Sequence, residues 1–412
     1  MQTVIAVPEI VAEAGEQRAK ELLMQEICGV PLLIRTAITA ARSGANEILL
    51  ISPETLTEEL IQDCTRGALQ FGVHINLAFV SHFDPQTPSS WTRLNQKVHD
   101  VFLWAPWNWV TNKRFLADLP SVSMSSADWS RPTYITVHEV RPDNAASAFR
   151  KNTTEGVAVT SHQSAAAAER FLIAQAGKVL DGIHTSFNRR LCRPFVRLLS
   201  HTPITPNEVT FMGVLVSVLA AFAFARGAYI ESVIGALIFF VAGLFDEMDG
   251  MLARIKFMES PRGTWLEGFA DGLSYLLLFA SITIGLRRQY GKVEVVIGLV
   301  LLVGTILALV VTSLGRRRAT APDRPNEYLG RFYYLLENDS ANWVSRIVRQ
   351  IQAFQKRGVM IHYIVLFTVF GGLQLLFLLA TIGAQLTWIL GLYFNRRFFA
   401  AKANPHTVTE AL

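Results

Sequence analysis

Charge is what this chain has least of. Of its 412 residues, 17% are Asp, Glu, Lys or Arg and 51% are hydrophobic, whereas a soluble protein averages nearer a quarter charged. A mean hydropathy of +0.30 leans the same way, toward a membrane. Cysteine is also scarce. Cys28, Cys64 and Cys192 stand far apart without a CxxC pair, which excludes a disulfide scaffold and a thiolate metal knuckle; reduced thiols facing a cytosol are expected. Neither sign of charge dominates. A net charge of +5 and a pI near 9.1 are as well accounted for by phosphate-rich substrates or anionic lipid heads as by nucleic acid, and no nucleic-acid partner is expected. The opening "MQTVIAVPEIVAEAGEQ" carries acids early and lacks a basic stretch before a long apolar core, so no secretory leader is expected.

What is present falls into two halves. Up to about residue 165, short apolar runs alternate with helical patterns: "TVIAV", "PLLIRTAITAARSGA", "NEILLIS", "ETLTEELIQDCTRGALQFG", "VHINLAFV", "DVFLWAP" and "TYITVHEV". Strands separated by helices predict βαβ units and a mostly parallel sheet, an α/β domain. From about residue 207 the runs lengthen: "VTFMGVLVSVLAAFAFA", "YIESVIGALIFFVAGLF", "GLSYLLLFASITIGL", "VEVVIGLVLLVGTILALVVTSL", and a last run from Ile361 to Phe394. About 20 apolar residues span a bilayer. The last run is too long for one span, and Gly371–Gly372 offers a break, so two helices and an all-α domain of six spans are expected. With six, "GRRRATAPDR", "SRIVRQIQAFQKRG" and "NRRFFAAK" share one side with the soluble domain, as the positive-inside rule asks. Between the halves, Arg189, Arg190, Arg193 and Arg197 lie beside apolar residues, as in an amphipathic helix on a membrane surface. The expected divisions are 1–165, a cytosolic domain; 166–205, a linker with the surface helix; 206–400, the transmembrane domain; and 401–412, a tail.

The second and third runs hold the unexpected residues, in "DEMDGMLARIKFMESPRGTWLEGFADG". Asp246, Asp249, Gly250 and Ala253 share one helix face by spacing; so do Gly263, Glu267, Asp271 and Ser274 on the next helix. Pro261 is expected to end the first of these helices. Four acids cannot gather as bare anions at a bilayer edge. All-oxygen donors suit a hard divalent cation, Mg²⁺ or Mn²⁺, with open positions for phosphate oxygens. Gly250 and Gly263 permit a ligand to approach the backbone, and Arg254 is a fixed cation suited to a phosphate. Asn207 and Thr210, beside Pro206 at the start of the first span, can cap it or reach a polar ligand. The same acids would also serve a polar-substrate or ion transporter, or persist in a catalytically inactive scaffold.

These residues resemble the CDP-alcohol phosphotransferase (phosphatidyltransferase) signature, D-x2-D-G-x2-A-R-x8-G-x3-D-x3-D. Every spacing is kept across Asp246, Asp249, Gly250, Ala253, Arg254, Gly263, Glu267 and Asp271. The one departure is Glu267, where the family has Asp, an arm longer by one methylene. The resemblance covers roughly residues 180–400. It implies an enzyme that moves a phosphoalcohol group, such as phosphatidyl, from a CDP-alcohol donor such as CDP-diacylglycerol to the hydroxyl of an alcohol or polyol-phosphate acceptor, releasing CMP in phospholipid or related phosphodiester synthesis. Asp246, Asp249, Glu267 and Asp271 would then serve the metal, and Asp271 would be the base. Asn207, Thr210, Gly250, Ala253, Arg254 and Gly263 would border the CDP. Lys356 and Arg357 would meet an acceptor phosphate, although basic residues anchoring a span at lipid heads read the same way. A homodimer, and a plasma (inner) membrane location with the N-terminal domain and C-terminus cytosolic, are further implications.

The first half resembles a sugar-nucleotidyltransferase-like fold through "ICGVPLLIRTAITAARSGANEILLIS", as in the front domain of bifunctional inositol-phosphate cytidylyltransferase/di-inositol-phosphate-phosphate synthases. The glycine-rich phosphate loop of that family is missing from "IAVPEIVAEAGEQRAKELL", and "VFLWAPWNWV" stands where a Gly-Asp would close the central strand. A degenerate domain, with the fold and without the activity, is expected. Arg18 and Lys20 are expected on a solvated helix face, and Trp104, Trp107 and Trp109 in core packing or a docking contact.

Overall fold

The structure is a computed structural model describing residues 1–94, 97–117, 119, 121–123, 129–136, 156–177, 183–320, 327–339, 342–351 and 357–399. Its contacts divide into two compact units, one of Met1–Ala176 with the short segments Ser200–Thr202 and Ile255–Phe257, the other of the remainder.

The first unit is α/β. Its strands are β1 (Gln2–Ala6), β2 (Glu26–Ile27), β3 (Val30–Pro31), β4 (Glu47–Ser52), β5 (Ile75–Phe79), β6 (Val101–Pro106), β7 (Trp109–Thr111), β8 (Ser121–Ser123), β9 (Thr133–Thr136) and β10 (Gly156–Ala158). Its helices are α1 (Glu9–Glu13), α2 (Glu16–Leu23), α3 (Leu32–Arg42), α4 (Glu58–Arg66), α5 (Pro88–Thr92), α6 (Lys113–Ala117) and α7 (His162–Gln175). The main sheet runs β5-β4-β1-β6-β9-β8, parallel except where β6 meets β9. β1 is buried along its whole length, as a central parallel strand covered on both faces must be. Trp104 and Trp107 are buried, and the indole of Trp104 donates to the Trp129 carbonyl at 2.9 Å, inside a cluster with Trp91 and Phe102. Arg18 and Lys20 pair with Glu21 and Asp63 on exposed helix faces. Arg35, fully buried, donates from Nη2 to the carbonyls of Ile27 and Ile255 at 2.7 and 3.0 Å; burial lowers its pKa to about 10.

The second unit is helical: α8 (Ile183–Ser200), α9 (Pro206–Arg226), α10 (Tyr229–Ile255), α11 (Pro261–Tyr290), α12 (Val293–Ala319), α13 (Glu327–Asn338), α14 (Trp343–Ile351), α15 (Arg357–Val369) and α16 (Leu373–Phe399). Among the described residues, α9, α10, α11, α12 and α16 are long and apolar enough to cross a membrane, while Gly358–Val369 is a shorter apolar helix. The last apolar run does break at Gly371–Gly372, with Gly371 at φ +72. Among the described residues, five helices of span length therefore stand where six spans were expected; the apolar run expected to supply the other is the shorter α15. Phe224, Phe239, Leu278, Ile282, Leu301, Ile364 and Phe377 form the centre of the bundle. Amide side chains tie α16 to α12: Gln385 donates to the Val300 carbonyl and Asn395 to that of Val311, both at 2.9 Å. Gly304 and Gly315 leave room for these two amides.

Candidate active site

Two helix starts and one helix end build the site. Thr205 caps α9 by accepting from the Glu208 amide, and the Glu208 carboxylate returns to the Thr205 amide at 2.7 Å. This capping box gives the cap to Thr205; of the two readings of Asn207, that leaves reach toward a polar ligand, and it stands exposed as the second residue of α9. α10 ends at Ile255, and Phe257 follows at φ +58. Pro261 thus opens α11 rather than closing α10, behind a Ser260 cap that accepts from the Gly263 amide at 3.0 Å, because Pro lacks only an N–H the first turn never uses.

Asp246, Asp249 and Asp271 line one cavity of about 10 Å³ with Thr210, Gly213, Val214, Ser217, Ala242, Ala270 and Ser274. That volume holds roughly one water-sized ligand. Asp249 is buried and accepts a short hydrogen bond from the Thr210 hydroxyl, which fixes the carboxylate's rotamer. Glu267, one turn before Asp271 on α11, is not among the lining residues. It belongs to the electrostatic surroundings of the Arg254 guanidinium, with Glu247, Glu259 and the like-charged Arg189. Arg254 folds back over Gly250, where a Cβ would stand 3.4 Å from its Nη1. A Cβ on Gly263 would stand 3.7 Å from Asn207 Oδ1, so the starts of α9 and α11 are neighbours. Ala253 is half-buried on the same α10 face.

Spacing alone did not show the support behind these acids. Glu247, between two motif aspartates, pairs with Arg189 of α8 at 2.9 Å, both largely buried. Asn188 donates to the Gly358 carbonyl at 3.2 Å, and His362 Nδ1 lies 2.9 Å from the same oxygen. α8, α10 and α15 thus meet behind the motif. Burial, and then the nearby Glu247 carboxylate, push the Cys192 thiol up to about 12, so it stays a neutral packing group. Ser217 was legible in principle, since it lies seven residues after Thr210 on one face of α9. Lys356 lies outside the described residues, as does the side chain of Arg357, the first residue of α15.

The donor set fits a hard cation in kind, being all oxygen. Among the described residues, however, no three His, Cys, Asp or Glu side chains are gathered closely enough to hold a metal ion. The aspartates share a cavity without closing into a cage.

Five membrane-length helices and a carboxylate-lined cavity among their ends mark a multi-pass membrane protein with a polar site. Residues 203–392 match the CDP-alcohol phosphatidyltransferase family. An archaetidylinositol phosphate synthase from Pyrococcus horikoshii is 34% identical over 90 residues, 22% of this chain and 46% of that protein. The chain thus spans about half the length of the curated relative it matches. This family generally uses divalent metal ions.

Proposed function

We propose that the chain is a membrane phosphotransferase that moves a phosphoalcohol group, phosphatidyl from CDP-diacylglycerol, to the hydroxyl of an alcohol or polyol phosphate and releases CMP. The observation that carries this reading is the single cavity shared by Asp246, Asp249 and Asp271 within the family-matched segment. Asp271 takes the proton of the acceptor hydroxyl. The oxygen forms its bond to the β-phosphorus, the bond from that phosphorus to the CMP oxygen breaks, and CMP leaves with the electron pair. Arg254 holds phosphate oxygens. Gly250, Ala253 and Gly263, with Asn207 and Thr210, border the nucleotide. Asp246, Asp249 and Glu267, with Asp271 nearby, would hold Mg²⁺ or Mn²⁺, which when bound offsets charge on the phosphates. Lys356 and Arg357 would meet an acceptor phosphate. Since the relative is an archaetidylinositol phosphate synthase, inositol phosphate is the first acceptor to try.

In the same reading α15 is a sixth, short span. α8 lies on the membrane surface, turning Phe187, Phe195 and Leu198 outward beside Arg190, Arg193 and Arg197. The N-terminal unit is a nucleotidyltransferase-like domain without that activity, cytosolic at the plasma membrane together with the C-terminus, and the membrane helices form a homodimer.

The test is CMP release by purified protein given Mg²⁺, CDP-diacylglycerol and a panel of alcohols that includes inositol phosphate. Asp271→Asn is expected to abolish release while the protein elutes and melts as wild type does. A transporter or a scaffold would release no CMP in any arm.

A further inference from the structure

Far from the carboxylates, one more acid is buried in the bundle. Glu294 is the second residue of α12 and only 4% exposed. Along α11 the distance from Asp271 to that end of the bundle is roughly 25–30 Å at 1.5 Å per residue, about the thickness of a bilayer's hydrocarbon. Gln374, near the start of α16, donates to Glu294 Oε1 at 2.6 Å. Oε2 is buried and has no hydrogen-bond partner among the described residues. The two side chains line a cavity of about 250 Å³ whose other walls are Ile297, Leu375, Phe377 and Leu378.

A buried carboxyl oxygen left without a hydrogen bond is costly, so a donor that can reach it is favoured there. One water could bridge Glu294 and Gln374, yet it would leave the four apolar walls of the cleft without an apolar partner. A small soluble cation would gain nothing from the four apolar walls. Those walls run on to Val296, Leu375 and Leu378, which are exposed on the outside of the bundle, where lipid chains lie. Lys292, exposed at the N-cap of α12 two residues before Glu294, supplies a cation at the same end of the bundle.

We propose that this cleft seats a phospholipid with a primary-ammonium head, on the membrane face opposite the carboxylate cavity. The ammonium donates to Glu294 Oε2, the phosphate faces Lys292, and an acyl chain follows Leu375 and Leu378. A quaternary head carries the same charge but has no N–H to donate, so it satisfies Oε2 poorly.

The experiment reconstitutes the full chain in bilayers of equal parts phosphatidylethanolamine, phosphatidylcholine and phosphatidylglycerol, then counts lipids that stay bound on extraction by native mass spectrometry. Wild type is expected to retain phosphatidylethanolamine several-fold over phosphatidylcholine. Glu294→Gln should remove the preference, and so should Leu378→Trp, which fills the cleft and leaves the carboxylate in place. Equal retention of the two lipids by wild type would overturn the proposal without any variant having to fold. An unchanged preference in either variant would overturn it too. Displacement of the bound lipid by equimolar free ethanolamine would show that the head alone suffices, and would overturn the assignment to a lipid. None of these readouts depends on CMP release.

Discussion

Asp249 and Glu267 are both motif acids, but their surroundings set them apart. Asp249 is buried and held by the Thr210 hydroxyl, while Glu267 lies off the cavity near Arg254. Removing a positioning hydrogen bond of this kind costs about 10–100-fold in metal affinity or activity. Thr210→Val, nearly isosteric, should therefore lower CMP release by about that factor without changing the melting temperature by much. Raising Mg²⁺ should recover part of the loss if the carboxylate's grip on the ion is what weakened. Glu267→Asp should keep or raise activity, since it restores the family's shorter arm; a titration of Mg²⁺ against rate for both proteins checks it, and complete inactivation would assign the longer arm to a different geometry. The aspartates themselves were legible because helical spacing fixes a shared face whatever the tertiary fold. The Thr210 contact was half legible, as a polar group at a helix start. The Arg189–Glu247 pair was not legible at all, because α8 and α10 are brought together only by packing.

At the scale of elements, the sequence told strands from helices well in the first unit, where β1, β4, β5 and β6 fall on the apolar runs read as strands. The antiparallel pairing of β9 with β6 left no trace in that alternation, since strand direction depends on the connection and not on the residues. In the second unit, the break at Gly371–Gly372 was legible from length and glycine. The two helices between α12 and α15 were seen only as basic linker, because their burial depends on α16. There, Arg397 grips Asp339 with two bonds of 2.8 Å, and Ser345 donates to the same carboxylate at 2.7 Å. The bonds from Arg397, and then that from Ser345, hold the Asp339 carboxyl far below the usual carboxylate range. A depressed folded value gives the sign. The contribution is whole above the unfolded value, about 3.9, and is lost as pH falls through the lower folded one. Amide exchange of α14, corrected for intrinsic rate, should therefore stay flat from neutrality down to about pH 4 and rise only in stronger acid. Asp339→Asn should raise it already at pH 7.

For the molecule as a whole, the carboxylates, the family match over residues 203–392 and the membrane-length helices belong to one half, and the α/β unit to the other. Chelation separates their dependence on metal. Stripping divalent ions should abolish CMP release reversibly, with recovery on Mg²⁺ addition, while circular dichroism and the melting of the α/β unit stay unchanged. The helix lengths have a further consequence. The described part of α15 is 13 residues, about 20 Å at 1.5 Å per residue, while its neighbour α16 has 27. On the proposed six-span reading, a wall of that described length would draw the lipid beside it thinner. Gly358, at its near end, lies against Thr185 and Glu247, so the thinner lipid would lie beside the motif aspartates. The proposed donor, its tails still in hydrocarbon, would there lower its head toward them without leaving the membrane.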